Sequence, residues 1–196
     1  MHAMQDEAGT PLTPVHPSPS TPAPDHPSAG RRRLYAVLLG LAAVVLVLDQ
    51  ATKVWALRSL TPGEKVDLLG SGIRLNLIRN PGAAFSIGDG ATWVLTAVSV
   101  AILVWVVVGA RRVGNTPWAV ALGLLLGGAL GNLVDRFFRE PGPGRGHVVD
   151  FIDYFGWFVG NVADIAIVVG AGIIMVLAYR GTSIAGPVHR AEHADG

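Results

Sequence analysis

LYAVLLGLAAVVLVLDQATK, residues 34–53, decides how the rest of the chain reads. From Leu34 to Leu48 no charged side chain interrupts the run, and then Asp49, Gln50 and Lys53 follow within little more than one turn. Continued to Leu57, the segment is long enough, at about 1.5 Å per residue, to cross a hydrocarbon core of about 30 Å. Asp49 and Lys53 stand four apart and therefore share a helix face. Ionisable groups at that depth are costly, which makes them the first place to look for function.

Three more segments repeat the pattern: Trp93 to Ala110, Trp118 to Val134 and Trp157 to Tyr179. Each is near the roughly 20 residues a crossing requires. The expected fold is an all-α membrane protein, a four-transmembrane-helix bundle. Gly123, Gly127, Gly128 and Gly131 recur about once per turn on the third span, a spacing that suits close helix contact. Composition agrees, with 51% hydrophobic and 15% charged residues and a net charge of +1 over 196 residues. That balance offers no basic surface for nucleic acid. The absence of Cys rules out a disulfide, a thiolate nucleophile and a Cys-ligated metal.

Residues 1–33 differ in kind, with seven of the thirteen prolines among Ser, Thr, Ala and His, and read as a disordered cytoplasmic tail. Residues 34–180 form the four-span domain and 181–196 a C-terminal tail. Arg31, Arg32 and Arg33 before the first run imitate a secretory signal, but no small-residue cleavage site ends the run, so it is read as a span. The arginine triplet, with Arg111 and Arg112, places both termini in the cytoplasm. Lys65, Arg74, Arg79, Arg136, Arg139 and Arg145 then fall outside, so the orientation rests on the first span and the short turn rather than on a raw count.

With that topology, Asp49, Asn132, Asp135, Asn161 and Asp164 converge on the outer leaflet. Asn132 with Asp135, and Asn161 with Asp164, are three apart and share helix faces. Asp164 falls about seven residues into the expected fourth span, on the order of 10 Å along its axis. In the first outer loop Ile73, Leu75 and Leu77 alternate with Arg74 and Asn76 up to Asn80-Pro81-Gly82, the pattern of a short strand ending in a turn. It belongs to a small extracytoplasmic β-sheet platform. The second outer loop, Arg136 to Phe155, is bent at Pro141-Gly142-Pro143-Gly144 and returns Asp150 and Asp153 to the membrane.

Other chemistries fit less well. His147, Asp150 and Asp153 have no second His in the membrane region to complete a metal site, and Ser86 or Ser99 lacks a nucleophile elbow. Trp93, Trp118 and Trp157 at span starts are accounted for by an interfacial belt. A small proton- or ion-coupled membrane transporter is the competing function, since buried acids also mark proton relays. It calls for polar groups through both leaflets, whereas Ala36 to Val47 and Ile165 to Leu177 are almost wholly apolar. A structural membrane subunit is the third reading.

Five blocks, in order, carry a further signal: Asp49-Gln50-Ala51-Thr52-Lys53; Asn80-Pro81-Gly82-Ala83-Ala84-Phe85-Ser86; Gly127 to Arg136; Val148-Val149-Asp150-Phe151; and Asn161-Val162-Ala163-Asp164. Together they resemble the lipoprotein signal peptidases (signal peptidase II) over about Leu34 to Tyr179. Gly160 stands where that family usually has Phe, and the connection from Arg136 to Asp150 is longer. The resemblance implies an intramembrane aspartic endopeptidase of the bacterial cytoplasmic (inner) membrane. It would act as a monomer, without cofactor or metal, on prolipoprotein substrates bearing a diacylglyceryl-cysteine, cutting before that cysteine. Substrate would enter laterally from membrane lipid. The implied catalytic pair is Asp150 and Asp164, with Asp49, Lys53, Asn80, Asn132, Asp135, Arg136 and Asn161 in support. Two carboxyl groups held close cannot both ionise cheaply, so such a pair shares one proton and supplies both an acid and a base.

The same residues have plainer readings. Asp164 would be a structural ion pair with Lys53 or Arg136, Asp150 a solvated loop acid, Asp135-Arg136 a helix-end brace, and Asn80 the start of a turn.

Overall fold

The computed structural model describes residues 29–82 and 92–186. The proline-rich tail up to residue 28, the stretch Ala83 to Ser86 of the second block, and the tail from residue 187 lie outside the described residues.

Four helices are long and apolar enough to cross a membrane: α1 (Ala29–Ser59), α2 (Thr92–Ala110), α3 (Thr116–Phe138) and α4 (Val162–Tyr179). They are joined to a four-stranded antiparallel sheet, β1 (Lys65–Leu69), β2 (Ile73–Asn80), β3 (Val148–Tyr154) and β4 (Phe158–Gly160), in the order β1-β2-β3-β4. Leu39, Val44, Val47, Val104, Trp105 and Val168 are all exposed on the helices. Apolar surface on that scale suits lipid as the surrounding solvent.

Helix α3 is the central member and packs on the other three. Its glycines allow this. A Cβ on Gly127 would lie 2.7 Å from Ala42 O and 2.7 Å from Val45 Cβ of α1, and one on Gly128 would lie 2.6 Å from Ala163 O of α4. Backbones approach this closely only where side chains are absent. Leu38 and Ala42 of α1, Val106 of α2, and Leu122 and Leu125 of α3 form the apolar core away from the sheet. At the sheet end a second core joins Ala56 of α1 to Leu77 of β2 and to Val149 and Phe151 of β3. Trp55 meets Phe151 edge-on, with ring centroids 6.3 Å apart.

Two boundaries differ from expectation. The fourth span does not begin at Trp157. Phe158–Gly160 pairs with β3 instead (Tyr154↔Phe158, Ile152↔Gly160), and Trp157 sits in the turn at 92% exposure. Asn161 then caps α4 in a reciprocal capping box with Asp164, so Asp164 is the third residue of the helix rather than seven residues deep. The second correction is that Asp150 and Asp153 lie on strand β3 and not in a bent loop. The approach to that strand is pinned by Gly144 N and Gly146 N, which donate to Arg136 O at 2.9 and 3.0 Å.

Candidate active site

Strand alternation sorts the acids of β3. Val149, Phe151 and Asp153 share one face and Asp150 takes the other, so the strand packs on α1 while aiming a single carboxyl inward. Asp150 is 2% exposed. Its Oδ2 accepts from Asn80 Nδ2 at 2.8 Å, and its Oδ1 from Asn161 Nδ2 at 2.6 Å. Asn80 is placed by β2, which pairs Ile78 with Asp150, and its own Oδ1 accepts from Gly82 N at 2.8 Å. Asn80 therefore both starts the turn and holds the acid.

Asp164 presents itself from the first turn of α4. Its Oδ2 accepts from Asn161 N at 3.1 Å and its Oδ1 from Asn132 Nδ2 at 2.9 Å. Asn161 thus bonds both carboxyl groups, Asp150 by its side chain and Asp164 by its backbone. None of the ion pairs among the described residues involves either acid.

The other buried acids among the described residues are all paired with cations. Lys53, fully buried, places Nζ 2.8 Å from Asp49 Oδ2, 2.8 Å from Asp135 Oδ2 and 3.0 Å from Asn132 Oδ1, which engages all three ammonium donors. Asp49 Oδ1 also accepts from Ala163 N at 3.0 Å, satisfying an orphan N–H at the start of α4. Asp135 accepts from Val149 N at 3.1 Å, beside Asp150, and pairs with Arg139 rather than with its neighbour Arg136. The expected Asp135-Arg136 brace is thus replaced by two separate ones. Arg136 Nη1 donates to Pro81 O and Gly146 O, both at 3.2 Å, tying the two sheet connections to α3. Asp153 faces away from the pair and is held by Arg74 at 3.1 Å and Lys65 at 3.5 Å.

Electrostatics separate the two acids of β3. Burial pushes the Asp150 carboxyl up to about 6, helped by the nearby Asp164 charge and opposed by the amides of Asn80 and Asn161. Burial acts on Asp153 in the same direction, but the Gly156 N–H and the charges of Arg74 and Lys65 outweigh it and hold that carboxyl below its ordinary value. Burial thus raises one acid of the strand while its cations keep the other a carboxylate.

Every sequence-derived site residue, Asp49, Lys53, Asn80, Asn132, Asp135, Arg136, Asp150, Asn161 and Asp164, belongs to this one connected cluster. Sequence reasoning missed Gln50, whose Nε2 reaches Gly131 O and Asp49 Oδ2, both at 3.0 Å, and Thr92, whose hydroxyl donates to Pro81 O at 2.8 Å. Gln50 lies inside the first quoted block, and its place on the Asp49 side of α1 was the available signal. All buried polar and charged side chains among the described residues lie at this end of the bundle. An apolar groove of about 430 Å³ opens beside Asp164, between Tyr154 and Phe158 on the sheet and Ile165, Val168 and Val169 on α4. A Cβ on Gly160 would stand 2.7 Å from the Phe158 ring and 3.0 Å from Asp164 Oδ2, two of the groups that line it.

The sequence model of the family described as signal peptidase (SPase) II matches residues 41–180. A lipoprotein signal peptidase of Mycolicibacterium smegmatis is 49% identical over 178 residues, which cover 91% of this chain and 74% of the relative. One of Rhodococcus jostii is 50% identical over 163 residues, covering 83% and 81%. Among solved structures, a bacterial membrane enzyme determined by the in meso method superposes with a TM-score of 0.66 at 27% identity, over 75% of this chain and 95% of that one. With the match running through all four spans and both strands that flank the carboxyl pair, the chain belongs to the signal peptidase II family.

Proposed function

We propose that the chain is an intramembrane aspartic endopeptidase that removes the signal peptide from diacylglyceryl-modified bacterial prolipoproteins, cutting before the lipid-bearing cysteine. One observation carries this reading. Of the buried acids at this end of the bundle, Asp49 pairs with Lys53, Asp135 with Lys53 and Arg139, and Asp153 with Arg74 and Lys65, whereas Asp150 and Asp164 are held by amide donors alone. Amides orient a carboxyl group and favour its ionised form less than a full countercharge does, which leaves the pair able to carry one shared proton.

In the proposed reaction the ionised carboxylate takes a proton from a water molecule lying between the pair as that water attacks the scissile carbonyl. The neutral carboxyl donates its hydrogen bond to the carbonyl oxygen, and the tetrahedral intermediate collapses as a proton passes to the leaving nitrogen. No acyl-enzyme forms. Asn161, Asn132 and Asn80 keep the two carboxyl planes in register; Arg136, engaged by two backbone carbonyls, shapes the site. The groove beside Asp164 suits the apolar part of a substrate arriving sideways from lipid. Orientation follows the arginines, with both termini cytoplasmic and the pair at the outer leaflet of the inner membrane. A one-sided polar cluster also speaks against a relay through both leaflets.

The test is incubation of the purified chain, in detergent, with a prolipoprotein before and after diacylglyceryl modification, with the products read by mass spectrometry. A single cut on the N-terminal side of the modified cysteine is expected. Cleavage elsewhere, or none of the modified substrate, defeats the reading.

A further inference from the structure

At the end of the bundle opposite the carboxyl pair, α1 begins and α2 turns into α3, and the two places meet around a concavity of about 880 Å³. Arg31 and Arg33 line it from α1, and Arg111 and Arg112 from the α2–α3 turn, with Asn115 and Thr116 at the start of α3. Arg31 crosses the gap and donates to Arg111 O at 3.1 Å, so the two basic clusters, eighty residues apart in sequence, form one structure. The Arg31 guanidinium also lies over the Tyr35 ring, 5.8 Å from its centroid. No acidic residue lines the concavity, and none of the ion pairs among the described residues includes any of the four arginines.

We propose that this concavity is a binding site for the headgroup of an anionic phospholipid. Four arginines line one hollow with no acid among them, a concentration of positive charge that an anion relieves, and the positive end of the α3 dipole adds to it. The depth selects the anion. Leu34 opens the apolar run of α1 and Ala110 closes α2, which sets the arginines at the level of the lipid phosphodiesters of their leaflet. There the negative charge of phospholipid is concentrated and a basic pocket between helices finds it first. Planar guanidiniums match a phosphate with paired N–H donors. Setting membrane orientation needs only positive charge near the span, a task for which Arg32 serves equally well; yet Arg32 does not line the hollow.

That difference makes the experiment. The full chain is purified in a neutral detergent and given phosphatidylglycerol, phosphatidylcholine or inorganic phosphate. Retained lipid is read by native mass spectrometry and Tm by thermal unfolding. Retention of one phosphatidylglycerol per chain with a raised Tm is expected, with neither effect from phosphatidylcholine. Inorganic phosphate, lacking acyl chains to hold it at this depth, leaves Tm unmoved. Arg31→Gln with Arg111→Gln lowers phosphatidylglycerol retention by about tenfold or more, the loss of charge-assisted hydrogen bonds to one phosphate. Arg31→Lys with Arg111→Lys, which keeps the charge, falls between. Arg32→Gln binds like the parent. Substrate cleavage in neutral micelles, unchanged in every variant, shows that the chains are folded. Equal retention of the two lipids, equal loss in Arg32→Gln, or a shift with inorganic phosphate matching that with phosphatidylglycerol each overturns the proposal.

Discussion

Asn161 donates its side-chain Nδ2 to Asp150 Oδ1 at 2.6 Å, although the two residues belong to different elements, a helix cap and a strand. The capping box that starts α4 is therefore also the device that brings Asp164 and Asp150 to one place. A helix N-terminus ordinarily satisfies its own orphan N–H groups. Here the same residue also serves a carboxyl on the sheet, so the start of the last span and the position of the proposed catalytic pair cannot be changed separately.

Replacing either member of the pair by its amide should abolish the reaction while sparing the fold. Asp150→Asn and Asp164→Asn keep the shape and one of the two acceptor oxygens but cannot exchange the shared proton. General acid–base contributions of this kind are worth about a hundred- to ten-thousand-fold in rate. Cleavage of the modified prolipoprotein should fall by at least that factor in each variant, with each still unfolding cooperatively in detergent. Wild-type turnover in either would remove the proposed mechanism.

The amide of Asn80 should set the pH at which the enzyme works. Its bond to Asp150 favours the ionised carboxylate and opposes the effect of burial, which has already pushed this acid up to about 6. Asn80→Ala removes the opposing influence, so the proton is held more tightly and the sign is upward. A hydrogen bond to a charged group contributes about 1.5–3 kcal/mol, or roughly one to two pH units. The acid limb of the kcat/KM profile is expected to move to higher pH by up to that amount. A profile that stays in place or moves down would mean that Asn80 does not govern the acid.

Lys53 is a different kind of residue, and its loss should register first as instability. Lys53→Met strands the Asp49 carboxylate without a cation and leaves Asp135 to Arg139 alone, and breaking a buried pair from one side costs about 3–5 kcal/mol. A large drop in Tm in detergent is expected. Adding Asp49→Asn removes the stranded charge and should restore much of the loss. If the double variant is no better than Lys53→Met alone, the charge account of this site is wrong.

Much of this arrangement is legible in the residues. The spans follow from uninterrupted apolar runs, and β2 from the alternation of Ile73, Leu75 and Leu77. The start of α4 was misplaced because Trp157, Phe158 and Val159 are as apolar as the helix they precede, and hydropathy cannot distinguish a strand lying on a membrane from the first turn of a span. The pattern Asn161-x-x-Asp164 was the corrective signal, since a cap followed three residues later by an acid marks a helix start. Strand β3 was hidden differently: its residues read as a loop because its pairing partner β2 lies some seventy positions earlier in the chain. That Asp150 and Asp164 carry no cation while their neighbours do is a property of three-dimensional pairing, to which spacing alone gives no access.

The glycines of α3 permit the last prediction, because two opposing effects can be compared in size. Alanine in place of glycine favours a helix by about 0.8–1 kcal/mol. At Gly40 on α1 nothing lies within 4 Å of the added Cβ, so Gly40→Ala should show that gain or no change. At Gly127 the Cβ meets Ala42 O and Val45 Cβ at 2.7 Å and Ala42 Cα at 3.0 Å, most of it backbone that cannot swing aside. Overpacking of this kind costs about 1–3 kcal/mol and outweighs the propensity. Gly127→Ala should therefore lower Tm, and by forcing α1 from α3 it should loosen the bonds from Lys53 to Asn132 and from Gln50 to Gly131, lowering cleavage as well. Thermal unfolding of the two variants side by side decides the matter, and a Gly127→Ala protein as stable as Gly40→Ala would show that close α1–α3 contact does not position the site.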